Sequence, residues 1–517
     1  MKKIIALFLS VLAIFSLVAC GGGTGTQSSS GTQPQSSGES DDAKDAQLVI
    51  GVYDGAAGYE FAHKLVDLYE KQNPGVKIAI KTKKDDYDDD KLINKIAYND
   101  EDLYFGSGNN IERFVASKYF EDITDVVTEK VYDSEGNYVK EGGTLSIEDR
   151  MWEQWRPFNK VGDKYYTVSN FAPVSGITYD ADLFNEKGYT VPQTYAELKT
   201  LMNKMVTDNV TPFTFCSNEA YIISSAFAFW ANYEGWNDFL LNSTYTGTDT
   251  DIGEINYQNA WKLQNQAGKK AYLQFYYDLA KNDAYTTRQT KGNSTNVSAQ
   301  DEYVSSIAGG TKRVAMLIEH SFWEREAKNT IDGMGEMKSA WGWGKRNFKY
   351  MIAPVDAETE RKTVYVSYPT SYCFINSNSK RKEIAKDFLK FSLSREALAL
   401  YTVYTGCLRP YDYTFTTEEY ESATPYTQSL IDLTRRDDVD FCTMGPGNSI
   451  ARLIGNNAGY YAIYWANTSR QSDGTTYSLP FTAFRGGKLS VNDYFDGCNR
   501  YMSEEKYTEF YNKIYKK

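Results

Sequence analysis

Asp54, Asn109 and Asn110 each follow a short apolar run, and Phe322 and Trp323 follow another, a spacing that suits the binding of a polar, partly flat ligand. Gln47 to Tyr53 (QLVIGVY) reads as a strand buried on both faces, and Asp54-Gly55 turns the chain at its end. Leu103-Tyr104-Phe105 reads as another strand, followed by Gly106-Ser107-Gly108-Asn109-Asn110. Ligands of open α/β sheets bind at the carboxyl ends of strands, where a carboxylate and two amides could meet hydroxyl groups. The same loop also reads as a plain strand-to-helix turn with Asn110 as helix cap, and it lacks the third glycine of a phosphate-binding loop. Val314 to Ile318 is a further apolar run, and Ser321-Phe322-Trp323-Glu324 has the form of a capping box, with Ser321 at N-cap and Glu324 at N3. That predicts a helix whose first turn carries Phe322 and Trp323, one packed in the core and one facing ligand, with Trp323 expected as the main stacking platform. Asn218 and Glu219 open a helix after Thr211 to Cys216, as polar contacts or, for Asn218, as its N-cap.

The chemistry that these residues do not offer is equally informative. The sequence contains no GxSxG, no GxxxxGK[ST], no HExxH and no EF-hand loop. Two histidines and scattered thiols exclude a His/Cys-rich zinc site, and Asp85 to Asp90 (DDYDDD) lacks the glycine and distal glutamate of a calcium loop. No metal site and no cofactor are expected. Carboxylate-based glycoside hydrolysis leaves no sequence signature, so an extracellular carbohydrate-active enzyme stays open as an alternative to a binding protein. With 56 Lys+Arg against 68 Asp+Glu, the net charge of −12 argues against a nucleic-acid partner. Aromatic side chains make up 15% of the chain, a surplus that can serve as ordinary core or as faces for flat ligands.

The elements that must position these residues alternate. After the first strand, Phe61, Leu65, Leu68 and Tyr69 mark an amphipathic helix stopped by Asn73-Pro74-Gly75, and Val76, Ile78 and Ile80 alternate as a strand. Strand–helix–strand order of this kind implies parallel pairing with right-handed crossovers, and 517 residues imply more than one domain. Thr194-Tyr195-Ala196-Glu197, behind Pro192, is another capping box that marks a helix start.

The amino terminus predicts location. Met1-Lys2-Lys3 and the apolar stretch Ile4 to Val18 have the design of a secretory signal, too short for a spanning helix of ~20 residues. Leu17-Val18-Ala19-Cys20-Gly21 resembles a bacterial lipobox, which implies a signal peptide over 1–19 and lipidation of Cys20; an ordinary signal cleaved nearby is the alternative. Residues 20–45 are rich in Gly, Ser and Gln and read as a flexible leash of roughly 25–30 Å. The expected location is the extracytoplasmic face of the cell membrane, held by a lipid anchor. Of the remaining cysteines, Cys216, Cys373, Cys407, Cys442 and Cys498, most are expected to be free and buried.

Together with that amino terminus, LVIGVYDGAAGYEFAHKLVDLYEKQNPGVKIAI resembles the start of extracellular solute-binding protein family 1, the carbohydrate-binding lipoproteins of ABC importers. Three further segments agree in the family's order. They are FNKVGDKYYTVSNFAPVSGITYDADLFNEKGYTVPQTYAELKTLM, RVAMLIEHSFWEREAK and YCFINSNSKRKEIAKDFLKFSLSREALALYTVYTGCLRP. The resemblance implies an α/β, two-lobed fold of the periplasmic-binding-protein type II kind, with a ligand cleft between the lobes. Lobe one would be 46–168 and 355–408, and lobe two 169–354 and 412–517. It adds Phe171, Tyr368, Tyr372, Arg409 and Tyr411, which stand near the implied crossings, as candidate ligand contacts. The implied partners are an oligosaccharide and the permease subunits of the transporter, with the protein acting as a monomer. Stacking would come from Trp323 and Phe171, and polar contacts from Asp54, Asn109, Asn110 and Glu219. Peptides or Fe³⁺ bound by tyrosinates are the alternative cargoes.

Overall fold

The structure, a computed structural model, describes residues 45–82, 92–107, 111–216, 219–235, 266–287, 295–367 and 371–443 but for single positions within them, together with Thr290 and short stretches between 469 and 505. The signal peptide, Cys20, the leash, Asp85 to Asp90, Asn109, Asn110, Asn218 and Tyr368 lie outside the described residues, as does the side chain of Glu219.

In chain order the strands that build the architecture are β1 (Leu48–Val52), β2 (Ile78–Thr82), β3 (Leu103–Ser107), β4 (Val168–Ser169), β5 (Ser175–Asp180) and β6 (Thr211–Phe215), then β7 (Val314–His320), β8 (Phe348–Met351), β9 (Lys362–Val366), β10 (Ser371–Ile375) and β11 (Val439–Thr443). They form two main sheets, ordered β2-β1-β3-β10-β4 and β8-β5-β7-β6. β1 pairs in parallel with β2 and β3, as the strand–helix–strand alternation predicts, and β10 returns antiparallel to β3. The helix Glu60–Gln72 covers the first sheet with Phe61, Ala62, Leu65, Val66 and Tyr69, the apolar stripe of its 3.6-residue period. In the second sheet β7 is buried along its whole length, between antiparallel β5 and parallel β6.

The predicted capping box at Thr194 is present: Thr194 Oγ1 accepts from Glu197 N at 3.2 Å, and Glu197 returns to the Thr194 backbone. The one predicted at Ser321 is not. The helical turn is Trp323–Glu326 with Phe322 at its N-cap and no side-chain cap. Ser321 Oγ instead accepts from Val174 N at 3.2 Å, and Glu324 accepts from Thr424 Oγ1 at 2.5 Å.

Three segments run side by side between the sheets. Ala172 N donates to Leu408 O at 2.7 Å, Ser367 N to Pro173 O at 2.9 Å, and Asn170 N to Ser371 O at 3.1 Å. β9 pairs in parallel with β11 and touches the helix Glu219–Glu234: Asn232 Oδ1 accepts from Thr363 N at 2.8 Å, and the Tyr365 ring lies 5.5 Å from Phe227. Tyr365 enters the core of the second sheet, whereas Val364 and Val366 join the core that holds Leu48, Ile50 and Val52 of the first.

Candidate functional site

The carboxyl end of β7 meets the crossing segments, and there the described candidates come closest together. His320, the last residue of β7, lies under the first turn of the next element, with Nδ1 2.7 Å from Ser175 Oγ and 3.4 Å from Ser367 Oγ. Ser175 Oγ and Ser367 Oγ are 2.9 Å apart, so hydroxyls from β5 and from the β9–β10 crossing meet at one imidazole. The Phe322 ring stacks on His320 at 5.4 Å between centroids, and Phe171 approaches Phe322 edge-on at 6.3 Å. Phe171 and Phe322 are each half-buried, so part of each ring stays open to solvent. An aromatic pair beside polar side chains, set where the chain passes between two sheets, can stack a flat apolar face and hydrogen-bond its edge.

The other candidates divide by burial. Trp323, expected as the platform, is fully buried, with Tyr303, Phe348 and Tyr426 at 5.6, 5.2 and 5.5 Å. All three approach it edge-on, and none of its faces is left for a ligand; of the two adjacent aromatics the core has taken Trp323 and left Phe322 outward. Arg409, Tyr411 and Tyr372 are buried as well. Arg409 donates to Ser392 O at 3.1 Å and to Ser169 O and Asn170 Oδ1 at 3.4 Å, while Tyr411 donates to Ser169 O at 3.1 Å. These two side chains hold the crossings together instead of facing a ligand. Tyr372 sits in β10, paired to Gly106 and Ser169. Asp54 is half-buried in the turn after β1, and Glu219 begins its helix as expected. His320, Ser175 and Ser367 were not singled out by sequence reasoning; that one of only two histidines ends an apolar run was the available signal.

Burial governs the ionisable groups here. It lowers His320 to about 4, leaving a neutral imidazole at physiological pH. It pushes Glu324 up to about 7, with the Thr424 hydroxyl pulling the other way, and burial and then the Glu326 charge hold Glu319 well above the ordinary carboxylate range. The signs oppose. A carboxyl whose folded pKa is raised stabilises fully below its unfolded value near 4.5, and that contribution is lost as pH rises through 7. A histidine whose folded pKa is lowered stabilises fully above 6.5, and that is lost as pH falls toward 4. Glu324→Gln keeps an acceptor for Thr424 but cannot ionise, so it should remove about 2 kcal/mol of the decline in stability between pH ~5 and ~8. Denaturant midpoints across that range check this; a slope equal to that of the unchanged protein would place Glu324 in contact with solvent.

Among the described residues no group of three or more His, Cys, Asp or Glu side chains is arranged to hold a metal ion, and no helix is long and apolar enough to cross a membrane. Cys373, Cys407 and Cys442 are buried free thiols and Cys216 is buried; the side chain of Cys498 lies outside the described residues. Burial raises the thiols of Cys373 and Cys442, and lifts Cys407 to about 12, which leaves them protonated and unreactive.

Two sheets joined by three adjacent crossings define a two-lobed α/β binding fold, and solved structures share it. The chain is similar to a solute-binding protein, RafE, in complex with raffinose, at 15% identity and a TM-score of 0.53, over 89% of this chain and 100% of that one. It is similar to a chitin oligosaccharide binding protein at 14% identity and a TM-score of 0.55, over 89% and 99%. A probable secreted solute-binding lipoprotein from Streptomyces coelicolor matches at 13% identity and a TM-score of 0.54, over 88% and 98%. No curated protein matches it in sequence. The chain belongs to the bacterial extracellular solute-binding proteins, whose family model matches residues 64–425. It is thus a solute-binding protein and not an enzyme, and the sequence resemblance pointed to the right family.

Proposed function

We propose that this protein is the substrate-binding lipoprotein of an ABC importer, which captures an oligosaccharide between its lobes and delivers it to a membrane permease. The observation that carries the reading is the half-buried Phe171–Phe322 pair beside His320 at the crossings. A pyranose covers an aromatic ring with its C–H face and seeks polar partners with its hydroxyls, and a site that meets those hydroxyls discriminates sharply. The structural relatives named for raffinose and chitin oligosaccharide support the choice of ligand class. The proposed lobes are 46–168 with 355–408, and 169–354 with 412–517. Asp54, Asn109, Asn110, Asn218, Glu219 and Tyr368 are the polar and aromatic contacts proposed to complete the site. Cys20 carries the lipid, and the protein works as a monomer on its leash.

A thermal-shift screen against oligosaccharides and peptides tests the reading, since a ligand at ~100 times its Kd adds ~2.7 kcal/mol of stability. A shift with oligosaccharides and none with peptides is the expected result; shifts confined to peptides would overturn the ligand class. With a sugar in hand, Phe322→Ala should weaken binding by about 1–3 kcal/mol, by analogy with stacked nucleobases, with little change in stability. Affinity equal to that of the unchanged protein by calorimetry would remove Phe322 from the site.

A further inference from the structure

Glu60 and Arg325 form an ion pair between the two sheet bodies. Glu60 is the first residue of the helix Glu60–Gln72 that follows β1, and Arg325 lies in the turn Trp323–Glu326 that follows β7. Each therefore stands just past a strand end of its own sheet. The main-chain bonds among the crossings are made by segments that connect the bodies, and they survive a hinge rotation. The Glu60–Arg325 contact is made by two side chains on opposite bodies, and separation breaks it.

The surroundings are built for the pair. Gly58 has φ +67°, a left-handed backbone that favours glycine, and a Cβ there would come within 2.8 Å of Glu60 Oε2 and 3.0 Å of Arg325 Nη2, so a side chain would push the pair aside. The Arg325 side chain is 14% exposed, which limits screening by solvent, while that of Glu60 is 46% exposed. Burial raises the Glu60 carboxyl, and the Arg325 guanidinium overrides it and leaves the group below its ordinary range.

We infer that Glu60 and Arg325 are positioning residues that latch the two lobes together, favouring the closed arrangement without contacting the ligand. The inference rests on the reading that ligand is held between the lobes. A partner interaction present only in the closed state shifts the open–closed equilibrium by its own free energy, and ligand affinity follows.

Small-angle scattering of the ligand-free full chain tests the latch without any sugar. Glu60→Arg and Arg325→Glu each place like charges face to face and should increase the radius of gyration, and the double exchange Glu60→Arg/Arg325→Glu should restore it. Where an oligosaccharide has been identified, each single variant should weaken its binding ~2–5-fold, as for partly exposed ion pairs, with recovery in the double exchange. Equal radii in all four proteins overturn the latch, and so does a loss of affinity that the exchange fails to repair. Unchanged melting temperatures keep misfolding apart from opening; if a reversed charge does not fold, Glu60→Gln and Arg325→Gln give the same comparison with smaller displacement. A failed sugar screen leaves the scattering result standing, so the latch and the proposed ligand fail separately.

Discussion

Replacing Trp323 by alanine should destabilise the fold by about 3–5 kcal/mol, the range for emptying an aromatic site in a packed core. The indole is wholly buried and is met by the rings of Tyr303, Phe348 and Tyr426 within 5.6 Å, so no single neighbour can move to fill its space. Its Nε1–H meets no acceptor among the described residues, which makes the polar end of the ring a burden rather than a support. Trp323→Phe, which drops that donor and keeps most of the volume, should therefore lose less than about 1.5 kcal/mol. Denaturant midpoints of the three proteins order them. A Trp323→Ala variant with unchanged stability and weakened sugar binding would return this residue to the site and displace Phe322 from it.

The exchange of roles between Trp323 and Phe322 shows what a sequence can and cannot carry. The apolar run Val314 to Ile318 was legible as a strand because packed cores cover both of its faces, Ala315, Met316 and Ile318 entering one and Val314 and Leu317 the other, and continuous apolarity is the local trace of that. The parallel pairing of β1 with β2 and β3 was legible from the strand–helix–strand order, which needs a crossover between the strands. Thr194 was legible as a cap because its partner Glu197 lies three residues away. Ser321 has the same local pattern, but Val174 N, 147 residues distant in sequence, takes its oxygen, and Thr424, 100 residues distant, takes Glu324. Where long-range partners compete for the same atoms, the local motif predicts the wrong bond. Which of two adjacent aromatics turns inward depends on Tyr303, Phe348 and Tyr426, and no periodicity encodes them. The polar contact of His320 with Ser175 and Ser367 joins three separate elements, so it exists only once the crossings have formed. Arg409 and Tyr411 were placed near the crossings by resemblance; the resemblance could not tell a residue that faces the ligand from one that ties the crossings beneath it.

Arg409→Ala should accordingly act on stability first, by about 2–4 kcal/mol, through lost hydrogen bonds to carbonyls and lost packing on two rings. Arg409 as a whole is 1% exposed. It bridges Ser392 O, on one side, to Ser169 O and Asn170 Oδ1 at the first crossing, on the other. It also lies 4.9 Å from the Tyr401 ring and 5.6 Å from the Tyr411 ring, so removing it leaves both a cavity and acceptors without a donor. Tyr411 still reaches Ser169 O at 3.1 Å in the variant, which keeps that carbonyl satisfied and sets the upper bound of the expected loss. Arg409→Lys should recover only a minor share, because an ammonium cannot reach both sides of the bridge with a planar fork. Urea unfolding of the two variants measures the difference. The alternative role, a cation that grips an acidic sugar, makes the opposite demand: stability unchanged in Arg409→Ala and affinity for uronate-containing oligosaccharides lost. The bonds that Arg409 already makes to the backbone at the crossings leave the guanidinium committed to the hinge, which is why the loss is expected in the unfolding midpoint.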